Sequence, residues 1–410
     1  MWESAELGEV AEVVTGGTPK SGVDAYWDGD ICWITPKDMG QNQNLYVSAT
    51  SRRITESGLN NSAAKLVPPN SVILSARAPI GHLAINSVPM AFSQGCKGLV
   101  PSPDLDAEFL YYFLLFNKGA LDEMGTGTTF KELSSARIKN IEIPFPPLAE
   151  QRRVVSILNE AFSGTDRLRA LSEKNTEDLK ELRWSVLQKH LAPPLQHQEG
   201  AVMWASAELG KVCEIHSGRR PRGGAVSDGV LSIGGEHINS DGSFNLSNPK
   251  YIPGDFFHRL KRGKIEVGDV LVVKDGATTG KVGFFNEDAP FEIGAVNEHV
   301  FILRSRNREN LVPSYLYWLL TSKEGNAEIL KHKTGAAQGG INLSIRGIEI
   351  SFPPLDEQRR IVSILDEVNS KIDKLLVLEQ NKARCLDELK QSILQKAFTG
   401  ELTQEKAEAE

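Results

Sequence analysis

The chain is one plan written twice, and that removes most of the folds open to 410 residues. Trp2-Glu3-Ser4-Ala5-Glu6-Leu7-Gly8-Glu9-Val10 returns as Trp204-Ala205-Ser206-Ala207-Glu208-Leu209-Gly210-Lys211-Val212. Extended to Gly16 and Gly218, nine of fifteen aligned positions are identical. Ile141 to Leu158 and Ile348 to Leu365 agree at fifteen of eighteen. The offset is 202 residues early in each copy and 207 later. Solenoid repeats run to about 20–45 residues, so a repeat this long is a duplicated domain with an attached helix.

Between the shared ends the copies diverge. Thr18 to about Lys131 and Arg219 to Ile341 share little beyond pattern. Val72-Ile73-Leu74 and Val270-Leu271-Val272-Val273 read as buried strands running into glycine turns (Gly81; Gly276 and Gly280). Trp33-Ile34-Thr35 and Leu231-Ser232-Ile233 read as an earlier strand, and Leu110 to Leu114 and Tyr315 to Leu319 as one short apolar helix. A common scaffold with different loops is the usual layout for variable recognition.

Phe145-Pro146-Pro147-Leu148 blocks any earlier helix, and Glu150-Gln151-Arg152-Arg153 opens a proline-free stretch to about Leu191. Steps of four and three from Val154 give a seam through Leu158, Leu168, Leu179, Leu182 and Val186. The second copy gives Ile361, Leu365, Ile372, Leu375, Leu386, Leu389 and Ile393. Both seams turn polar in the middle, at Ser172 and Asn175 and at Glu379 and Lys382. Such spacing is a coiled-coil signal, and ~43 residues at ~1.5 Å rise make roughly 64 Å of helix, more than a small domain needs. The expected fold is α+β: two mixed, β-rich globular modules separated by two long antiparallel coiled-coil helices, with a pseudo-two-fold internal repeat, a dumbbell. Its segments are a module over 1–147, a helix over 148–192, a linker over 193–203, a module over 204–354, a helix over 355–400 and an acidic, frayed tail over 401–410.

Composition narrows the class. Apolar residues make up 40% and charged residues 24%, enough for real cores. No apolar run approaches the ~18–20 residues of a membrane span, and Met1-Trp2-Glu3-Ser4 does not open a signal peptide. Cys32, Cys96, Cys213 and Cys385 are far apart, which predicts buried thiols in a reducing cytoplasm and no metal site. The net charge of −7 argues against indiscriminate nucleic-acid binding, so the position of the positive charge matters more than its total.

Enzymatic signatures are missing. There is no phosphate-cradling Gly-x-x-x-x-Gly-Lys-Ser/Thr, and Gly276-Ala277-Thr278-Thr279-Gly280-Lys281 has the wrong spacing. No Gly-x-Ser-x-Gly elbow, no His-Glu-x-x-His and no Asn/Asp-Pro-Pro-Tyr/Phe box for base methylation occurs. The pattern is that of a binder. Cations gather beside glycine in the variable regions: Arg219-Arg220-Pro221-Arg222-Gly223-Gly224, Arg259 to Lys264, and Arg52-Arg53. Glycine lets a backbone come close, and Arg or Lys neutralises phosphate or bonds guanine edges. The candidate DNA-contacting residues are Lys20, Lys37, Arg77 and Lys131 in the first copy and Arg219, Arg220, Arg222, His237, Lys274 and Lys281 in the second. His82 and His299 are weaker candidates.

Two unlike globular regions, each followed by an Ile-Pro-Phe-Pro-Pro-Leu-x-Glu-Gln-Arg-Arg-like segment (Ile143 to Val155; Ile350 to Val362) and a helix ending near Leu-Gln-Lys (187–189; 394–396), resemble the specificity subunit of Type I restriction-modification systems. The resemblance covers nearly the whole chain, starts at Trp2 with no helix expected ahead of it, and departs at Ser351, where the first copy has Pro144. It implies target recognition domains that each read half of a split, asymmetric duplex DNA target, without catalysis. It also implies helices that set the spacer and hold two methylation subunits, to which restriction subunits add. S-adenosylmethionine and ATP then belong to those partners, with no cofactor in this chain. The competing class is a coiled-coil interaction scaffold that binds no DNA.

Overall fold

The computed structural model describes residues 2–42, 44–77, 79–127, 131–193, 203–335 and 339–402. Most of the expected linker (194–202) and acidic tail (403–410) lies outside these residues. The chain forms two compact units, Met1–Ser172 with Gln380–Glu410, and Glu173–Glu379, so each includes part of both long helices, Leu148–Leu191 and Leu355–Thr399.

In the first unit, β1 (Ser4–Glu6) pairs antiparallel with β11 (Glu142–Pro144). The two segments that recur between copies are therefore strand partners. A five-stranded sheet runs β2-β10-β7-β8-β4 through Ala11–Thr15, Cys96–Pro101, Val72–Ser75, Leu83–Asn86 and Tyr46–Val47. A four-stranded sheet runs β5-β3-β9-β6 through Arg52–Ile54, Trp27–Ile34, Met90–Phe92 and Leu66–Val67. Both sheets are mixed, since β4–β8 and β3–β9 are parallel. Strand alternation explains the unbroken apolar run at 72–74: Val72 and Leu74 face a core with the helix Ala107–Phe116, while Ile73 faces the four-stranded sheet. Phe398, from the second long helix, closes the first core with ring centroids 5.2, 5.6 and 5.7 Å from Phe109, Phe113 and Phe116.

The second unit repeats this plan. β12 (Ala205–Glu208) pairs with β22 (Glu349–Phe352). A four-stranded sheet runs β13-β19-β16-β17 through Cys213–Ser217, Val300–Ser305, Asp269–Val273 and Val282–Phe285. A three-stranded sheet runs β15-β14-β18 through Tyr251–Ile252, Val230–Ile233 and Gly294–Val296, with β14 and β18 parallel. β20 (Lys333–Thr334) and β21 (Gly340–Ile341) form a short ribbon. Gly16 and Gly218 end the shared opening motif because a Cβ there would lie 2.2 and 1.6 Å from the carbonyl oxygens of Ser93 and Val296. The Ser351 departure is harmless: its hydroxyl meets Ser206 at 2.9 Å, and Pro144 is tolerated in a two-stranded ribbon.

Each long helix is anchored by the glutamine of its Pro-Pro-Leu-x-Glu-Gln segment, and both glutamines are fully buried. Gln151 accepts from Asp106 N (2.8 Å) and donates to the carbonyls of Asp104 (2.9 Å) and Pro146 (2.8 Å). Gln358 accepts from Val312 N (2.8 Å) and donates to Asn310 and Pro353 (2.8 Å each). One amide thus ties the Pro-Pro turn to the start of an earlier helix, Ala107–Phe116 in the first unit and Pro313–Thr321 in the second.

The helices pair antiparallel in both units. In the first, Asp166 meets Lys390 and Arg169 meets Asp387, so three residues forward on one helix match three back on the other. In the second, Arg183 meets Asp373 and Asn175 Nδ2 donates to Glu379 Oε1 at 3.1 Å. Nine of the thirteen expected seam residues lie in this contact or the adjoining cores: Val154, Leu158, Ile361, Leu365, Ile372 and Leu386 are buried, and Leu179, Val186 and Ile393 half-buried. The other four need correction. Leu168, Leu182, Leu375 and Leu389 are 45–50% exposed, and the inner line sits one residue later, at Phe162, Arg169, Arg183, Asn369 and Lys390. Long polar side chains fill those places with their stems; the Lys390 ammonium lies 5.2 Å from the Phe162 ring centre. At about 100° per residue, Leu168 and Leu171 then fall on the flank away from Asp166 and Arg169.

The expectation of buried thiols also needs one correction. Burial pushes Cys96 up to about 11 and Cys213 up to about 12, and Cys32 is buried, but Cys385 is exposed on the second long helix.

Candidate nucleic-acid interface

A cleft of about 1150 Å³ lies in the second unit. Its floor is β13 and β19, through Ile215 to Ser217 and Phe301; its walls are Phe256 to Arg262 and Ile341 to Ser344. Arg219, Arg259, Lys261, Arg262, Lys274 and Arg346 line it, an unusual concentration of positive charge for a chain of net charge −7. A polar groove of about 370 Å³ adjoins it, lined by Lys261 to Lys264, Arg304 and Arg306.

Several cations are held in place by the fold. Arg304 bonds the fully buried Asp269 through Nε (2.7 Å) and Nη2 (2.8 Å); this pair first, and Glu266 with it, raises the guanidinium above its usual value. Arg346 donates to the Ile215 carbonyl at 3.0 Å, and the Lys274 ammonium sits 5.4 Å from the Phe301 ring centre. His216 lies between the two grooves; burial, then Arg304, lowers its pKa, so the ring is neutral at pH 7 and can donate or accept. By contrast, Arg219, Lys261 and Arg262 are exposed, as a rim that meets a polyanion must be.

The sequence candidates separate accordingly. Arg219 and Lys274 line the cleft; Arg220 pairs with Glu298 at 3.0 Å, and Arg222 is exposed nearby in sequence. Lys281 is spent on the fold, donating to the Ile238 carbonyl at 3.1 Å. His237 is buried with both ring nitrogens taken by the backbone, a correction to its reading as a base contact. Its Nδ1 accepts from Gly234 N at 2.9 Å, and its Nε2 lies 3.2 Å from the Asn248 carbonyl. His299 is held between Asp275 and Glu298.

In the first unit, Lys20 and Lys37 are exposed, Arg77 pairs with Glu132 (3.1 Å) and Lys131 with Asp122 (3.0 Å). Carboxylates therefore offset two of its four candidates. His216, Arg304, Arg306 and Arg346 are the residues that sequence reasoning missed. A signal existed for Arg346: Lys139 stands at the matching place, and the two cations pack against Gly210 and Gly8, the same glycine of the shared motif. Among the described residues, no three His, Cys, Asp or Glu side chains are placed to hold a metal, and no helix is long and apolar enough to cross a membrane.

The wider comparison agrees with this division. Two stretches, 1–176 and 201–380, match the family model described as the Type I restriction modification DNA specificity domain. The MjaIX specificity subunit of Methanocaldococcus jannaschii is 30% identical over 53% of this chain, a match that spans about half (52%) of that relative. The StySPI specificity subunit of Salmonella potsdam is 25% identical over 98% of this chain and 89% of its own length. The fold is shared with a subunit solved in a study of assembly and conformational transition of the type I R-M system (TM-score 0.78, 22% identity, 98% of each chain). It is also shared with the HsdS subunit of Thermoanaerobacter tengcongensis (TM-score 0.57, 21% identity, 98% and 97% covered). With both modules matched and nearly the full length aligned to a specificity subunit, the chain belongs to the Type I restriction-modification DNA specificity family.

Proposed function

We propose that this chain is the sequence-specificity subunit of a Type I restriction-modification complex. Each module reads one half of a bipartite, asymmetric duplex, and the paired helices fix the spacer. The observation that carries the reading is the cationic cleft of the second module, built from residues that differ between the copies on a scaffold the copies share. Because the faces differ, so do the half-sites. The chain is not itself a catalyst. S-adenosylmethionine and ATP are the business of methylation and restriction subunits, and the complex works in the cytoplasm, where its DNA is.

Each unit also presents a leucine stripe on the flank of its helix pair: Leu168, Leu171 and Leu389 in the first, and Leu375, Leu378 and Leu182 in the second, 45–59% exposed. The stripes are the same three positions of the repeat, which suits two copies of one partner. We assign them to two methylation subunits.

The test is salt-dependent binding by the complex with its methylation subunits. Arg219, Lys261 and Arg262 changed together to alanine should flatten the plot of log affinity against log salt by about 2.7, at ~0.9 per phosphate contact, with the methylated motif unchanged. Wild-type complex that protects no bipartite site at low salt would leave the scaffold reading standing instead. A second expectation concerns the spacer. Seven residues added to both helices keep the register and lengthen each by about 10.5 Å at ~1.5 Å per residue, so the preferred spacer should grow by about three base pairs, read by sequencing methylated adenines.

A further inference from the structure

The two modules carry their positive charge in different places. Strand pairing makes the comparison residue by residue. Lys97 on β10 faces Thr15 on β2 and Leu74 on β7; Phe301 on β19 faces Ser217 on β13 and Val272 on β16. Lys97 thus stands where the second module has Phe301, in the floor of the cleft. The rim can be matched too, because Leu66 faces Ala91 as Lys264 faces Ala295. Counting back from those partners, Asn61, Ala63 and Ala64 stand where the second module has Arg259, Lys261 and Arg262. Of this rim the first module keeps one cation, the exposed Lys65 at the place of Gly263, and it has gained a cation in the floor.

That floor lysine is costly. Lys97 is 5% exposed, and among the described residues its ammonium has one hydrogen-bond partner, Thr15 Oγ1 at 3.3 Å. Thr15 Oγ1 is also shared with Ser135 Oγ at 3.0 Å. The nearby Glu132 is ion-paired with Arg77, and burial lowers the ammonium's pKa. A phenylalanine serves the same place in the other copy, so packing does not require the charge. A buried ammonium with donors to spare is what a site built for acceptor atoms would hold.

Resting on the DNA-reading function above, we propose that Lys97 is a specificity-determining residue of the first module, donating to the acceptor edge of a guanine (N7 and O6) in its half-site. The second module, with Phe301 in the floor, holds its DNA through the cationic rim instead. Both arrangements use the same strand positions for different readouts.

The experiment is selection from a randomised duplex library by the complete methylation complex, with sequencing of the methylated products. In wild type, the first half-site should contain a guanine·cytosine pair that Lys97→Met relaxes by about tenfold or more. The other half-site should be read as before, which also reports that the complex is intact, and the salt slope should not change. Lys97→Gln, which keeps one donor group, should relax the same position less. An unchanged motif overturns the assignment. So does uniform weakening with a slope shallower by about one, which would make Lys97 a phosphate contact. If neither variant yields intact complex, Lys97 serves the fold and the assignment is overturned. A wild-type complex with no bipartite preference would overturn the DNA reading itself, and this assignment with it.

Discussion

Gln358→Leu should destabilise the second module by about 3–5 kcal/mol. The substitution strands the Val312 N–H and the carbonyls of Asn310 and Pro353, which the amide satisfies at 2.8 Å each. An unsatisfied buried group costs about 1–3 kcal/mol, and the site is fully buried, so water gives little relief. For a unit of this size about 2–4 °C of melting temperature follows each kcal/mol, so thermal unfolding should shift down by about 6–20 °C. Gln151→Leu should do the same to the first module. A loss below ~1 kcal/mol in both would show that the amide does not anchor the helix.

Gln358→Glu sharpens the test through pH. A carboxylate facing two carbonyls has nothing to donate, so the folded protein must protonate it, which raises its pKa above the ordinary ~4.3. Stability lent by that proton is present below ~4.3 and lost as pH rises through the elevated value. Relative to wild type, the variant should be closest near pH 4 and weakest at pH 7, measured by denaturant unfolding at both. The opposite order would mean the side chain has left its pocket.

The repeat made the architecture legible because its two matching segments are strand partners and helix anchors, and such contacts demand the same residues in each copy. The buried strands at 72–74 and 270–273 were legible for the same reason: sheets covered on both faces need unbroken apolar runs. The pairing line of the helices was only partly legible. Hydrophobic spacing picks out Leu168, Leu182, Leu375 and Leu389, but it cannot tell a seam closed within the chain from a face left open. Nor does it show that Arg169, Arg183 and Lys390 pair across the seam. At the interface, charge clustering located the rim, whereas His237 and Lys281 were misjudged because loop context hides their backbone partners. Lys97 carries no signal in the sequence; strand pairing is what shows that it holds the place Phe301 holds in the other copy.

The exposed leucines give the second large effect. Changing Leu168, Leu171 and Leu389 to lysine should remove one methylation subunit from the complex and leave the other bound. These side chains are 45–50% exposed, so the free chain loses little, within about 0.5 kcal/mol per site for ordinary surface changes. Docking loses more. Full burial of a leucine is worth about 1.5–3 kcal/mol, half of which is still to be gained at each exposed position, and lysine adds a desolvation cost. Together that is about 3–5 kcal/mol, or roughly a hundred- to a few thousandfold in affinity. Native mass spectrometry should then read two methylation subunits on wild type, one on the triple variant, and none once Leu375, Leu378 and Leu182 are changed as well. Unfolding midpoints should stay within a few degrees throughout. Two subunits retained on the triple variant would reject the stripes as docking faces, and loss of both would show that the two faces do not act independently.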